Sequence, residues 1–383
     1  MTGFPRVKLG LLAHITAGQG APQSEAEYGE EGYPFIKAAH MQGLSCGSLL
    51  EAQCLRVSDE VAQRRKLKIY KAGSIIFAKS GMSCMKGYVH CLTQDAYLVN
   101  HLACITLTAT ERAFAPYLKY YFLKHSPSRL VKDEGYPSIS LTDISKLEIP
   151  LPPLAEQERI AAELDAVVAT LKKRQTQLAE LNALVEARFV ELFGGERLPT
   201  VAIGDEFKTT SGGTPPSKVR EYYDGGSVPW LNSGEVNRGI VDYAENFITE
   251  LGLKNSSAKW IPVDSVLVAM YGATVGKVGL LRIPATTNQA VCSILPNSQY
   301  CPLYLYFAVK SQESWMRSQA LGGAQPNISQ TVIKKMTIPK PPLELQERFA
   351  AEVERVEAIK AKVRDGIAET QTLFDALTQK YFG

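Results

Sequence analysis

The sequence predicts an α+β protein made of two similar halves. Two mixed α/β domains are separated by two long antiparallel helices that form a coiled coil, and the halves are related by a pseudo-twofold duplication. Three observations carry this reading: an internal repeat, apolar heptads after each copy of its best-matched segment, and short β-rich runs set among Gly/Pro loops. They divide the chain into a first domain (residues 1–150), a first spacer helix (151–195), a second domain (196–340) and a second spacer helix (341–383).

The repeat is clearest where ISKLEIPLPPLAEQERIAAEL, from Ile144, meets IKKMTIPKPPLELQERFAAEV, from Ile333, at a shift of 189 residues. Pro150, Pro152, Pro153 and Leu154 meet Pro339, Pro341, Pro342 and Leu343. Gln157, Glu158, Arg159, Ala161, Ala162 and Glu163 meet Gln346, Glu347, Arg348, Ala350, Ala351 and Glu352. The register still holds where Phe193-Gly194 meets Phe382-Gly383, so both copies contain one rigid element of constant length. Upstream the match is looser and gapped. Val7, Gly10, Thr16, Gly18 and Pro22 resemble Val201, Gly204, Thr210, Gly212 and Pro216, while Asn100 and Cys104 resemble Asn288 and Cys292.

Proline suits the approach to a helix and is rare inside one, so helices are expected to begin after Pro152-Pro153 and Pro341-Pro342. In the first, Leu164, Leu171, Leu178, Val185 and Leu192 recur every seven residues, with Ile160, Val167 and Leu181 in a second stripe. In the second, Phe349, Val356, Val363 and Leu377 recur, with Val353, Ile367, Phe374 and Tyr381 between them. These are the heptads of a coiled-coil seam. Leu164, Leu171, Leu178, Val185, Phe349, Val356, Val363 and Leu377 are therefore the candidate interface residues. Gly194 and Gly195 stop the first helix. Each helix is roughly 60 Å long at about 1.5 Å per residue. Arg174 and Lys360 interrupt the stripes, either as residues that set register or as side chains that lead their charge out to solvent.

Within the domains, PFIKA (34–38), GSIIFAK (73–79), YLVNHLACITL (97–107), SVLVAMY (265–271) and NQAVCSIL (288–295) read as strands. Helices are expected near Pro116–Lys124 and Pro302–Lys310. Dense Gly/Pro/Ser loops on a rigid frame suit surface recognition.

Composition bounds the class. Hydrophobic residues are 45% and charged residues 21% of 383 residues, the mix of an ordinary globular protein with at least two cores. No signal peptide or apolar run long enough for a membrane helix is visible, so a cytoplasmic protein is expected. Seven cysteines without C-x-x-C spacing argue for reduced thiols. The first domain carries 17 Lys+Arg against 13 Asp+Glu and the second 14 against 11, whereas the helical segments carry 5 against 7 and 6 against 8. Mildly basic domains are compatible with a polyanionic partner without proving one.

Several segments resemble catalytic or metal motifs and fail on detail. GATVGKVG (272–279) has only three residues between Gly272 and Gly276, Val278 after Lys277, and a strand-like VGLLRIP next. It reads as a hairpin tip and not as a phosphate loop. Cys84, His90, Cys91, His101 and Cys104 have irregular spacing, and the second domain keeps only Cys292, so no metal is expected and the two matching cysteines are assigned to buried strands. No nucleophile elbow, carboxylate pair or methyltransferase signature occurs.

Candidate contacts to DNA follow from residue chemistry. Arg64 and Arg65, in a basic run with Lys66, Lys68 and Lys71, suit phosphate contact; the alternative is a solvated loop. The hairpin tip presents Tyr271, Thr274 and Lys277. Tyr136 in EGYPSIS and Gln325 and Asn327 in GGAQPNIS hold matching places before each long helix. Hydroxyls and amides there can read base edges or simply form turns. Lys37, Lys79, Ser80, Lys86 and Ser138 join the set in the first domain, and Thr214, Ser217, Lys218 and Asn232 in the second.

The P-L-P-P-L-x-E-Q-E-R-I segment followed by a long helix, present twice, resembles the specificity (S) subunit of type I restriction-modification systems. SGGTPPSK…VPWLNSGEV and YGATVGKVG…TTNQAV resemble that family's target-recognition domains, although the first domain has SGMSCMKG where the second has YGATVGKVG. The resemblance spans the whole chain. It implies a non-catalytic subunit whose two domains each read half of a split site in double-stranded DNA. The helices would set the unread spacer and dock two methyltransferase (M) subunits. It also implies no cofactor on this chain: S-adenosylmethionine would sit on the M subunits, and ATP and Mg on two restriction (R) subunits where these are present. The alternatives are a coiled-coil scaffold with two protein-binding modules, and a stand-alone methyltransferase or nuclease, which the missing motifs disfavour.

Overall fold

The computed structural model describes residues 4–195, 198–322 and 326–383. The chain forms two compact units, one of residues 1–176 with 364–383 and one of residues 177–363. Two forty-residue helices, Leu154–Phe193 and Leu343–Phe382, each contribute one part to each unit. Both begin directly after the predicted prolines. Among the described residues no helix is long and apolar enough to cross a membrane.

In the first unit an antiparallel four-stranded sheet runs Ala13–Ala17, Leu102–Leu107, Ile75–Ala78, Val89–Cys91 in spatial order. A three-stranded sheet runs Arg56–Val57, Tyr33–Ile36, Tyr97–Leu98. A third pairing joins Arg6–Lys8 to Glu148–Pro150, bringing the chain's start beside the approach to the long helix. The run expected as one strand over 97–107 is two, because Val99–His101 turn between sheets: the amide of Val99 bonds Ile36 O and that of Asn100 bonds Gln19 O, at 3.0 and 2.8 Å.

The second unit repeats this plan. Thr209–Ser211, Val291–Ile294, Val266–Ala269 and Val278–Leu281 take the four places of the larger sheet, and Ile240–Val241 adds an edge. Phe247–Ile248, Val228–Leu231 and Ala285–Thr287 take the three places of the smaller one, and Trp260–Ile261 adds another. Thr200–Ala202 pairs with Thr337–Pro339 as the first unit's terminal strands do. The segment 272–279 is a hairpin connection, since Val268 pairs antiparallel with Val278.

Each unit seats a short helix on a helix pair. In the first unit Ala115–Lys124 packs Tyr117, Tyr120 and Tyr121 against Phe374 and Phe382, in one core with Ile160, Leu164 and Val167. Here the two long helices run antiparallel, since Arg159 donates to Tyr381 Oη at 3.3 Å while Arg174 reaches Gly366. In the second unit Pro302–Lys310 packs Tyr304 and Phe307 against Phe189, Phe193 and Phe349. The pair is again antiparallel there, and Arg188 grips Glu352 through two bonds of 2.7 and 3.1 Å. Among the expected interface residues, Leu164, Val185, Phe349 and Leu377 are buried. Leu171, Leu178, Val356 and Val363 are half-buried.

The repeated glutamine explains why the helix starts match so closely. Gln157 is fully buried; its Oε1 accepts from the Phe114 amide at 2.9 Å, and its Nε2 donates to Arg112 O and Pro152 O, both at 2.8 Å. Gln346, equally buried, accepts from the Cys301 amide at 2.8 Å and donates to Pro341 O and Gln299 O at 2.9 and 3.3 Å. Phe114 and Cys301 cap the two short helices, so one amide group ties the start of each long helix to the start of its short partner. Tyr117 and Tyr304 add hydroxyl bonds to Pro150 O and Pro339 O at 2.9 and 2.6 Å.

Candidate nucleic-acid interface

A loop frame built from main-chain bonds occurs once in each unit. In the first unit the Gly81 amide donates to Pro137 O, the Ile139 amide to Lys79 O and the Lys79 amide to His101 O, at 2.9, 2.7 and 2.8 Å. In the second the Gly272 amide donates to Pro326 O, the Ile328 amide to Met270 O and the Met270 amide to Ala290 O, at 2.9, 2.9 and 2.8 Å. Isolated bridges Ser80↔Ser138 and Tyr271↔Asn327 complete the match. The frame thus sets Ser80, Tyr136 and Ser138 side by side, and in the other unit Tyr271 and Asn327. Tyr136 is 86% exposed and Tyr271 39%. Gln325, the expected counterpart of Tyr136, lies outside the described residues.

A third segment joins each frame. His101 Nδ1 lies 2.8 Å from Ser80 Oγ. In the second unit Ala290 takes the main-chain place of His101, and the residue before it, Gln289, accepts from Thr214 Oγ1. The side chains of His101 and Gln289 are exposed. From the sequence His101 was weighed only as a metal ligand, and Gln289 was not singled out. The repeat gave only a near signal: the sequence aligns Asn100 with Asn288, whereas the main-chain bonds set Asn100 against Gln289 and His101 against Ala290.

The approach of this segment needs a residue without a side chain. A Cβ at Gly18 would stand 2.1 Å from Val99 O, and one at Gly212 1.8 Å from Thr287 O, both backbone atoms. This is the physical reason for the glycine shared by TAG (16–18) and TSG (210–212).

The remaining candidates fall into two groups. Ser217 and Lys218 are exposed turn side chains, and Lys86 is the exposed last residue of the 3-10 helix Met82–Lys86. Others are engaged within the chain. Arg64 and Arg65 end the helix Asp59–Arg65, and both grip Glu27, at 2.9 and 2.6 Å. The Arg65 guanidinium, helped by Arg64, holds the Glu27 carboxyl down to about 2. Lys277 pairs with Glu313 at 2.8 Å, and Thr274 Oγ1 donates to Tyr271 O at 3.2 Å. Lys37 Nζ lies 4.5 Å from the centre of the Tyr28 ring. Asn232, at the place equivalent to Lys37, caps the short helix Ser233–Val236 by accepting from the Gly234 amide at 2.8 Å.

The cysteines and histidines do not converge. Cys104 and Cys292 are buried strand residues whose thiols burial pushes up to about 11 and about 12. His90 instead binds the buried carboxylate of Glu51 at 2.7 Å. Burial works against that carboxylate, but the bonds from His90, the Thr93 amide and Thr93 Oγ1 outweigh it and lower its pKa. Among the described residues no group of three or more His, Cys, Asp or Glu is placed to hold a metal ion.

Comparison with known proteins points one way. The family model for the type I restriction modification DNA specificity domain matches residues 1–183 and again residues 197–369. The specificity subunit of the type I restriction enzyme EcoR124I/EcoR124II from Escherichia coli is 26% identical over 262 residues, 65% of this chain and 65% of that protein. The MjaIX specificity subunit from Methanocaldococcus jannaschii is 29% identical over 153 residues, 39% of this chain and 35% of that one. The chain thus spans less than two thirds of the length of these relatives. Among solved structures, the type I restriction-modification S subunit from M. genitalium shares the fold with a TM-score of 0.59 at 15% identity, covering 100% of this chain and 97% of the other. A chain from a study of complex assembly and conformational transition of the type I R-M system gives 0.58 at 18%, covering 100% and 98%. With both halves of its sequence matched by the model and its loop frame built twice, this chain belongs to the type I restriction-modification DNA specificity family.

Proposed function

We propose that this chain is the sequence-reading subunit of a type I restriction-modification complex, each loop frame reading one half of a bipartite site in double-stranded DNA. The observation that carries this is the pairing of a constant main-chain frame with different side chains in the two units: Ser80, Tyr136, Ser138 and His101 in one, Tyr271, Asn327 and Gln289 in the other. Exposed hydroxyls, amides and imidazoles on short loops can bond base edges in the major groove, while Lys86 and Lys218 supply phosphate contact. The two long helices act as a coiled-coil rod that sets the spacer, and they dock two M subunits; Leu184 and Val190, 56% and 63% exposed, are apolar side chains suited to such a surface. The M subunits bring S-adenosylmethionine and take the target adenine out of the stack, and R subunits, where present, bring ATP-dependent cleavage. This chain supplies position and no chemistry, in the cytoplasm.

The test is a domain exchange. Residues 1–150 are replaced by the corresponding domain of another family member, the protein is produced with its M subunits, and modified adenines are mapped in the host genome. One half-site changes while the other half and the spacer stay. A change in both halves, or methylation without any fixed motif, refutes the reading. The engagement of Arg64, Arg65 and Lys277 in ion pairs favours a second reading, a scaffold with two protein-binding modules. Salt-dependent retention on DNA in the presence of M subunits separates the two.

A further inference from the structure

Three polar residues interrupt the apolar stripes of the long helices: Arg174 in the first, Lys360 and Thr370 in the second. Lys360 is buried and pairs with Glu357 one turn earlier on its own helix. The other two meet each other. Arg174 Nη1 donates both to the carbonyl of Gly366 and to Thr370 Oγ1, and that hydroxyl donates in turn to Gly366 O at 2.7 Å. Gly366 is the only glycine in either forty-residue helix. A glycine there costs about 1 kcal/mol of helix propensity relative to alanine, so its presence calls for a reason. The reason is space: a Cβ at Gly366 would stand 2.8 Å from the Arg174 guanidinium. A cation, a hole of matching size and an acceptor therefore coincide at one level of the helix pair.

We propose that Arg174, Gly366 and Thr370 form a polar key that fixes which helix pairs with which, and in what register. Its consequence for DNA, a single accepted spacer length, rests on the function proposed above. Apolar heptads alone are periodic and tolerate slippage by seven residues, and one polar residue at a seam position is a known means of suppressing it. Sliding by one heptad would set Arg174 against Ile359 and Val363, or against Leu373 and Leu377, with no side-chain acceptor and no glycine in either direction. The key also tells the two helices apart. The repeat places Gln177 and Leu181 where the second helix has Gly366 and Thr370. The first helix of a second copy therefore offers Arg174 neither hole nor hydroxyl. On the second helix Val363 stands where the first has Arg174, so a pair of second helices would leave the hole at Gly366 unfilled.

The test uses the full chain with its M subunits and a triple variant, Arg174→Leu, Gly366→Ala and Thr370→Val. Apolar replacement of a partly buried polar set commonly leaves stability unchanged or raised, so the variant is expected to unfold no earlier than the wild type. It is nevertheless expected to methylate sites whose spacer differs from the native one by about three base pairs, the length of one heptad. The ratio of native-spacing to altered-spacing methylation should fall roughly tenfold or more. Hydrogen exchange across residues 171–178 and 363–370 reads register without DNA: one population in the wild type, two in the variant. A stable variant with native spacing only and a single exchange population overturns the key. If the wild type shows one exchange population and the variant two while no fixed-spacer motif exists, the key stands and the function proposal falls. Should the triple variant not fold, Thr370→Val alone removes an acceptor at constant shape. A lowered methylation ratio or a second exchange population then supports the key, and their absence overturns it.

Discussion

Replacing Gln157 by alanine isolates the bond set that anchors the first long helix. The amide is fully buried and makes three hydrogen bonds of 2.8–2.9 Å, all to main-chain groups near helix starts. Its loss leaves the Phe114 amide and the carbonyls of Arg112 and Pro152 without that partner, and opens a small polar void. At about 1 kcal/mol per net hydrogen bond, plus the penalty for a buried donor left unpaired, the variant should lose about 3–4 kcal/mol. That lowers the folding equilibrium constant of the first unit by more than about a hundredfold. Urea unfolding followed by circular dichroism measures the total; hydrogen exchange at the Phe114 amide localises it, since this donor should lose protection ahead of the sheet interior. Gln157→Glu, which keeps the acceptor but turns an oxygen towards the carbonyls of Arg112 and Pro152 in a fully buried place, should lose at least as much as the alanine variant. A loss under about 1 kcal/mol, or unchanged protection at Phe114, would show that the glutamine is a bystander and that the repeated motif has another cause.

Two further outcomes follow from other sites. Gly212→Ala puts a methyl group within 1.8 Å of Thr287 O, so the loop segment must move; the thermal midpoint should fall by several degrees and, under the function proposed above, one half of the methylated motif should degrade while the other half persists. Glu27→Gln should matter only in one pH window. Its folded pKa is lowered to about 2 from 4.5, so its contribution is fully present above about 4.5 and fades as pH falls towards 2. Wild type and variant should differ in thermal midpoint at pH 6 and converge near pH 2, and a constant difference across that range would contradict the assignment.

Much of the architecture was legible because it is periodic or punctuated. The prolines and heptads placed both long helices, and Pro302–Lys310 formed as its composition implied. The failed phosphate-loop spacing correctly marked a hairpin between Val268 and Val278. What escaped notice was set by tertiary contacts. The edge strands Ile240–Val241 and Trp260–Ile261 are two residues each and have no period to detect. Gln157 and Gln346 stood out only as repeated letters, since a buried amide and an exposed one look alike in a sequence. Arg174 was ambiguous until Gly366 and Thr370, some 190 residues away, were found beside it. As parts of the loop site His101 and Gln289 were missed because their relevance lies in the loops they touch, Ser80 and Thr214.

The bonds that hold the loops at Gly81 and Gly272 come from amides and carbonyls, which every non-proline residue supplies alike. Tyr136, Ser138, Tyr271 and Asn327 therefore sit on a support that does not depend on what they are. Mutations there can accumulate and be sorted for new binding preferences without first being filtered for folding. Under the function proposed above, a lineage carrying this chain can retarget one half at a time, and a randomised library at those four positions should yield mostly well-folded members.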